Sequence, residues 1–199
     1  MNIGILALQG DVEKHGHVLS DLGLEYTFVR YPNELNEVNG LIIPGGESTT
    51  LTKLMNKNHF HKSIKKFAEK NPILGTCAGM IMMSKNVNHP LVDPLGIIDV
   101  DVDRNAYGRQ VHSFVDKLPV QLNGDSKTIA ATFIRAPKIS KIGKNVEILA
   151  EFNNEPCAVK QGQHIALSFH PELNNITLFH KAAFCNKGSI NKQESSHAA

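Results

Sequence analysis

A chain of 199 residues that is 41% hydrophobic and 20% charged is long enough for one domain with a full-sized core and too apolar to stay disordered. Its 21 basic and 19 acidic residues leave a formal charge of +2 with no long run of either sign, so the basic stripe of a nucleic-acid binder is missing. The three cysteines, Cys77, Cys157 and Cys185, are odd in number and far apart, which argues against a disulfide framework and for a reducing compartment, the cytoplasm by default.

The apolar run Ile3 to Leu8 has no basic n-region and passes straight into Gln9, Gly10, Asp11 and Glu13, so it reads as a buried strand instead of a signal peptide. No stretch of about 18 apolar residues follows anywhere, and no membrane span is expected. A helix is predicted from Asp11 to Leu22, ended by Gly23, with Val12, Leu19 and Leu22 facing a sheet. Tyr26 to Val29, Leu41 to Ile43 and Ile73 to Leu74 are further strands, separated by a helical region from Ser48 to Lys70 that stops before Pro72. Strands alternating with helices predict an α/β fold, a mostly parallel sheet with helices on both faces.

The second half changes character. Ile97 to Val102, Val111 to Val115, Val120 to Leu122 and Ile129 to Ile134 are β-like and separated by turn residues, which predicts an antiparallel excursion. Val146 to Leu149 and Ile165 to Phe169 flank the turn signal Asn153-Asn154, and a last helix is expected from Asn174 to Cys185. Residues 1 to 186 then form one domain, and the polar segment from 187 to 199 is expected to be a flexible tail.

Three segments carry chemistry. In Gly75-Thr76-Cys77-Ala78-Gly79 a cysteine stands between small residues at a strand-to-helix turn, the nucleophile-elbow pattern with Cys in place of Ser; the helix start that follows favours a thiolate. A thiol needs a base. His170, in Ser168-Phe169-His170-Pro171-Glu172, follows a predicted core strand, and ligands in open α/β sheets bind outside the carboxyl ends of the strands, so Cys77 and His170 would open on one edge. Glu172 stands two residues on, where its carboxylate would hold the imidazole in one tautomer. Pro44-Gly45-Gly46-Glu47-Ser48-Thr49 also follows a strand and precedes a helix; its glycines would let N–H groups line an oxyanion hole, or it is a plain turn with Ser48 as N-cap. It lacks the Gly-Lys-Ser/Thr ending of a P-loop. His15 and His17, like His59 and His61, are two apart on predicted helices and cannot share one metal from one face, so no metal site is expected.

Together, Pro44 to Thr49, Gly75 to Gly79 and Phe169 to Glu172 resemble the class I, Cys-His-Glu glutamine amidotransferases. Leu8-Gln9-Gly10, Arg104-Asn105-Ala106-Tyr107-Gly108-Arg109-Gln110 and Phe133-Ile134-Arg135-Ala136-Pro137 are most similar to the glutaminase subunit of pyridoxal 5'-phosphate synthase, with Tyr107 where that family often has Phe. The resemblance implies a flavodoxin-like three-layer fold and Cys77 as nucleophile, His170 as base and then acid, and Glu172 as orienting carboxylate. It implies an oxyanion hole at Gly46 and Ala78, and glutamine contacts at Gly46, Glu47, Ser48, Arg104, Ile134 and Arg135. It further implies that L-glutamine is the substrate, that a synthase subunit takes the ammonia, and that this chain binds no cofactor. Alternatives at this stage are the glutaminase of another amidotransferase, such as imidazole glycerol phosphate synthase, and a non-catalytic scaffold subunit. A cysteine peptidase fits less well with arginines suited to a free amino acid.

Overall fold

The structure, a computed structural model, describes residues 1–104 and 113–185. The stretch from Asn105 to Gln110 and the tail from 187 onward lie outside the described residues.

Five strands form a parallel block. They are β1 (Asn2–Leu6), β2 (Glu25–Val29), β3 (Gly40–Ile43), β4 (Ile73–Thr76) and, from far along the chain, β12 (His164–Leu167), ordered β2-β1-β3-β4-β12. Each is short and apolar because both its faces are covered. Successive residues supply opposite cores: Leu41, Ile43, Ile73 and Ala166 pack to one side, Ile42, Leu74, Ile165 and Leu167 to the other. The first side takes α2 (Ser48–Lys57), α3 (Phe60–Ala68) and α4 (Ala78–Met83); the second takes α1 (Val12–Asp21) and α5 (Leu178–Phe184).

Beyond β12 the sheet continues with β11 (Glu155–Gln161), β10 (Glu147–Phe152), β7 (Ser113–Leu122) and β8 (Asp125–Ile134), joined by antiparallel pairing. Pairing alternates direction, so β10 and β8 again run with the parallel block and only β11 and β7 oppose it. A second sheet of β5 (Ser84–Val87), β6 (Ile98–Asp103) and β9 (Lys138–Ile142) packs into the core on the α2–α4 side.

Several elements differ from the sequence expectation. The single helix from Ser48 to Lys70 is two, broken at His59, whose φ is +60°. The buried positions Leu51, Met55, Phe60, Ile64 and Phe67 include a step of five, which one 3.6-residue stripe cannot accommodate. The buried face of α1 consists of His15, Gly16, Val18 and Leu19, with Val12 and Leu22 only half-buried. β7 runs through Pro119 as one strand, because on the β10 side it pairs at Val120 alone. The Asn153-Asn154 turn, both residues at positive φ, leads into β11, which the sequence reading missed. Strands β5 and β9 were also missed, and α5 starts later than expected, after a 3-10 turn over Pro171–Asn174.

A chain of aromatic rings ties the antiparallel extension to β12 and α5. Phe133 lies 4.9 Å from Phe114 and 5.5 Å from Phe169, and Phe169 meets Phe179 edge-on at 5.5 Å. Phe179 is fully buried. Phe179→Ala is therefore expected to cost about 3 to 5 kcal/mol of stability, read as a lower midpoint in denaturant unfolding; an unchanged midpoint would mean that α5 does not anchor this core.

Candidate active site

β3, β4 and β12 are neighbours, and register places Ile43 beside Gly75 and Thr76 beside Leu167. The three motif segments therefore leave the sheet side by side at its carboxyl edge. Cys77 follows directly on β4, and its N–H donates to the Leu167 carbonyl at 2.8 Å. Its backbone has φ +50° and ψ −104°, a strained conformation that throws the side chain up as α4 begins. Close packing holds the turn. A Cβ on Gly79 would sit 1.9 Å from the Ile43 carbonyl, so only glycine lets α4 lie this near β3.

His170 is held by its own N–H, which donates to the Thr132 carbonyl at 2.9 Å, and by the preceding Phe169 ring in the core. Its Nδ1 is 2.7 Å from Glu172 Oε1, and Cys77 is within hydrogen-bonding reach of the ring's other side. Pro171 opens the 3-10 turn that points Glu172 back beneath the imidazole, where only 3% of Glu172 is exposed. The ring also rests against the Gly45 backbone: a Cβ there would meet His170 Cε1 at 2.3 Å. Cys77, His170 and Glu172 thus form one contiguous set.

Burial draws the His170 pKa down, but its hydrogen-bond contacts with Cys77 and Glu172 outweigh it and raise it to about 10. Burial pushes Glu172 up, and its contacts with His15 and His170 outweigh that to hold it below the usual carboxylate range. Cys157 differs: fully buried, its thiol is pushed up to about 12, which leaves it inert.

Gly46 follows with φ +143°, exposed, and its carbonyl-side neighbour Glu47 accepts at its backbone oxygen from Gln9 Nε2 at 2.8 Å. Ala78 is fully buried as the first residue of α4. Glu47, not Ser48, is the N-cap of α2: its carboxylate accepts from the N–H groups of Thr49 and Thr50, which longer reach permits from one residue earlier. Despite some burial, these bonds bring its pKa down to about 2. Ser48 Oγ is buried without a partner among the described residues. Arg104, at the end of β6, donates to Glu47 Oε1 at 2.9 Å, which ties the second sheet to this loop. Its Nη1 is buried and unpaired among the described residues. The Ile134 carbonyl lies 3.8 Å from Cys77 Sγ, and Arg135 is exposed with φ +45°. Sequence reasoning missed His15, which approaches Glu172 from below; a histidine buried on a helix face carries no motif.

Residues 5–187 match the profile of the SNO glutamine amidotransferase family. The chain belongs to the SNO glutamine amidotransferase family. It is 47% identical to a protein of Thermosipho africanus and 46% identical to one of Shouchella clausii, both named pyridoxal 5'-phosphate synthase subunit PdxT. These matches cover 91% and 92% of this chain and 96% and 93% of the relatives. A crystal structure described as a glutamine amidotransferase superposes with a TM-score of 0.84 at 40% identity, over 90% of this chain and 95% of that one. A putative GMP synthase subunit from Thermoplasma acidophilum, at 18% identity, shares the fold with a TM-score of 0.66 over 92% of each chain. The class I amidotransferase fold expected from the sequence is thus the fold observed.

The raised pKa of His170 has a sign that can be checked. Stability from its protonated form is fully present below its unfolded value of about 6.5 and is lost as pH rises through the folded value. Cys77→Ala removes the largest upward influence. Titration followed by imidazole NMR should show the His170 pKa falling well below that of the wild type; an unmoved value would mean that Cys77 does not face the ring.

Proposed function

We propose that this chain hydrolyses L-glutamine to L-glutamate and ammonia with Cys77, His170 and Glu172, and supplies the ammonia to a pyridoxal 5'-phosphate synthase subunit. The observation that carries this is the strained Cys77 at the carboxyl edge of β4 beside an imidazole whose Nδ1 is fixed by a buried carboxylate. The partner and pathway rest on the names of the relatives. Three free thiols suit a reducing compartment such as the cytoplasm. The amidotransferase domain is assigned to residues 1–186.

In this reading the Cys77 thiolate attacks the side-chain amide carbon of glutamine, and the N–H groups of Gly46 and Ala78 hold the resulting oxyanion. His170, starting as the imidazolium, protonates the departing nitrogen and ammonia leaves. It then takes a proton from water, which attacks the γ-glutamyl thioester; glutamate leaves and the thiolate–imidazolium pair returns. Arg104 has one guanidinium nitrogen on Glu47 and another without a partner among the described residues, so it can hold the α-carboxylate of the free amino acid, with Glu47, Ser48, Ile134 and Arg135 completing the contacts. The Gly45–Gly46 peptide is the proposed gate. It links the backbone that packs against His170 to the Glu47 cap, and docking of the synthase would set its orientation.

Glutamate release, measured on the chain alone and with the synthase subunit, tests the whole reading. Turnover is expected to rise strongly with the partner and to fall by about a thousandfold or more in Cys77→Ala. Turnover unaffected by the partner would place the chain on another amidotransferase branch. Arg104→Ala is expected to raise KM for glutamine about tenfold or more with a smaller change in kcat; an unchanged KM would remove it from the substrate contacts. Gly45→Ala, whose methyl would collide with the imidazole, should lose most of kcat while the fold survives; wild-type kcat would show that the ring can move aside.

A further inference from the structure

Beneath the triad lies a buried pair that the mechanism above does not use. His15, on α1, and His180, on α5, are both fully buried, with His15 Nδ1 2.9 Å from His180 Nε2. The other side of His15 faces the chemistry: its Nε2 is 3.7 Å from Glu172 Oε1 and 3.4 Å from Thr76 Oγ1. Thr76 is itself fully buried and immediately precedes Cys77. Glu172 Oε1 already accepts from His170, while Oε2 is buried without a partner among the described residues. A nearly inaccessible carboxylate with one bonded oxygen needs a further donor, or its charge is poorly compensated.

Resting on the triad reading, we propose that His15 is a positioning residue for the reaction. Its neutral imidazole, with Nε2 in hydrogen-bond contact with Thr76 Oγ1, turns the Nε2–H dipole toward Glu172 at 3.7 Å and holds that carboxylate ionised and aimed at His170, while His180 fixes the His15 tautomer from behind. Burial draws the His15 pKa below its usual range, with Glu172 and Asp11 opposing and His170 reinforcing, so the neutral ring faces Glu172 and acts through its N–H dipole. If Nε2 carries the proton, Nδ1 accepts from His180 Nε2–H, and His180 Nδ1 is left as a bare lone pair, an atom without a hydrogen-bond partner among the described residues. A bare buried acceptor is tolerated better than a bare N–H. The Ile176 carbonyl favours a proton on His180, yet a carboxylate charge facing His15 outweighs one neutral carbonyl dipole. A metal-bridged pair is not the explanation, since ring nitrogens 2.9 Å apart leave no room between them for an ion at a bond length of about 2 Å to each.

The test uses the full chain with its synthase partner. His15→Leu is expected to lower kcat for glutamine about ten- to a hundredfold, with KM changed less than about twofold, and His15→Gln, which keeps an N–H at similar reach, should recover most of it. Nitrogen NMR of the wild-type chain at neutral pH should find His15 protonated at Nε2. That readout does not depend on whether a variant folds. A fully active His15→Leu beside an inactive Cys77→Ala, equal losses in the Leu and Gln variants, or an Nδ1-protonated His15 would each overturn the proposal while leaving the triad. An active Cys77→Ala would instead remove the triad reading itself.

Discussion

The backbone hydrogen bond from the Cys77 N–H to the Leu167 carbonyl joins two strand ends that lie far apart in sequence and carry the proposed nucleophile and base. It extends the β4–β12 ladder one residue past the last paired strand position, Thr76 beside Leu167, at the point where the chain turns into positive φ. A residue in that conformation is stable only if its surroundings over-determine it. Here the ladder fixes the N–H, α4 fixes the carbonyl side through Ile81, whose N–H donates to Cys77 O, and the close approach of Gly79 to β3 leaves α4 no other place. The strain is therefore a product of the sheet, and the exposed edge of the thiol is its functional result.

The same edge organises the electrostatics. A thiolate and an imidazolium would each be costly in a half-dry pocket; as neighbours they stabilise one another. The orienting carboxylate lies below them in the dry layer between β4 and α1, so every charge in the row has a partner on the next element. The second sheet contributes from the other side of the nucleophile, through Arg104 at the end of β6 and its bond to the Glu47 cap. A loop with a glycine pair is thereby held at both ends, by Gln9 and Arg104 at Glu47 and by packing against His170 at Gly45.

Much of this was legible in the sequence because its signals are local. Apolar runs of two to six residues announced the parallel strands, and small residues around Cys77 announced the turn. The order of the three motifs then fixed which strand ends had to meet. What escaped was set by tertiary packing. β11 contains Pro156 and too little alternation to stand out, and it becomes a strand because β10 and β12 sandwich it. The break at His59 left only the five-residue step in the buried pattern as a trace. His15 escaped for the same reason: its partners, Thr76, Glu172 and His180, come from three elements that no spacing in the sequence relates.

That last case shows why catalytic sets look smaller in sequence than in structure. A motif records residues whose relation to the reacting atoms is fixed by one turn of chain, such as His170 and Glu172. The groups that make such a pair workable answer a different requirement, that a carboxylate removed from water must find donors wherever the fold brings them. α1 is pinned to β1 by the sheet and α5 closes over β12 through Phe179, so the space beneath Glu172 is filled by whatever those helices present. In this protein they present two imidazoles in contact, which are compact and able to donate on one side while accepting on the other. An aliphatic side chain of the same volume would pack as well but leave the carboxylate facing His170 alone, so in the proposal above it is the charge of Glu172, and not the shape of the cavity, that favours histidine there.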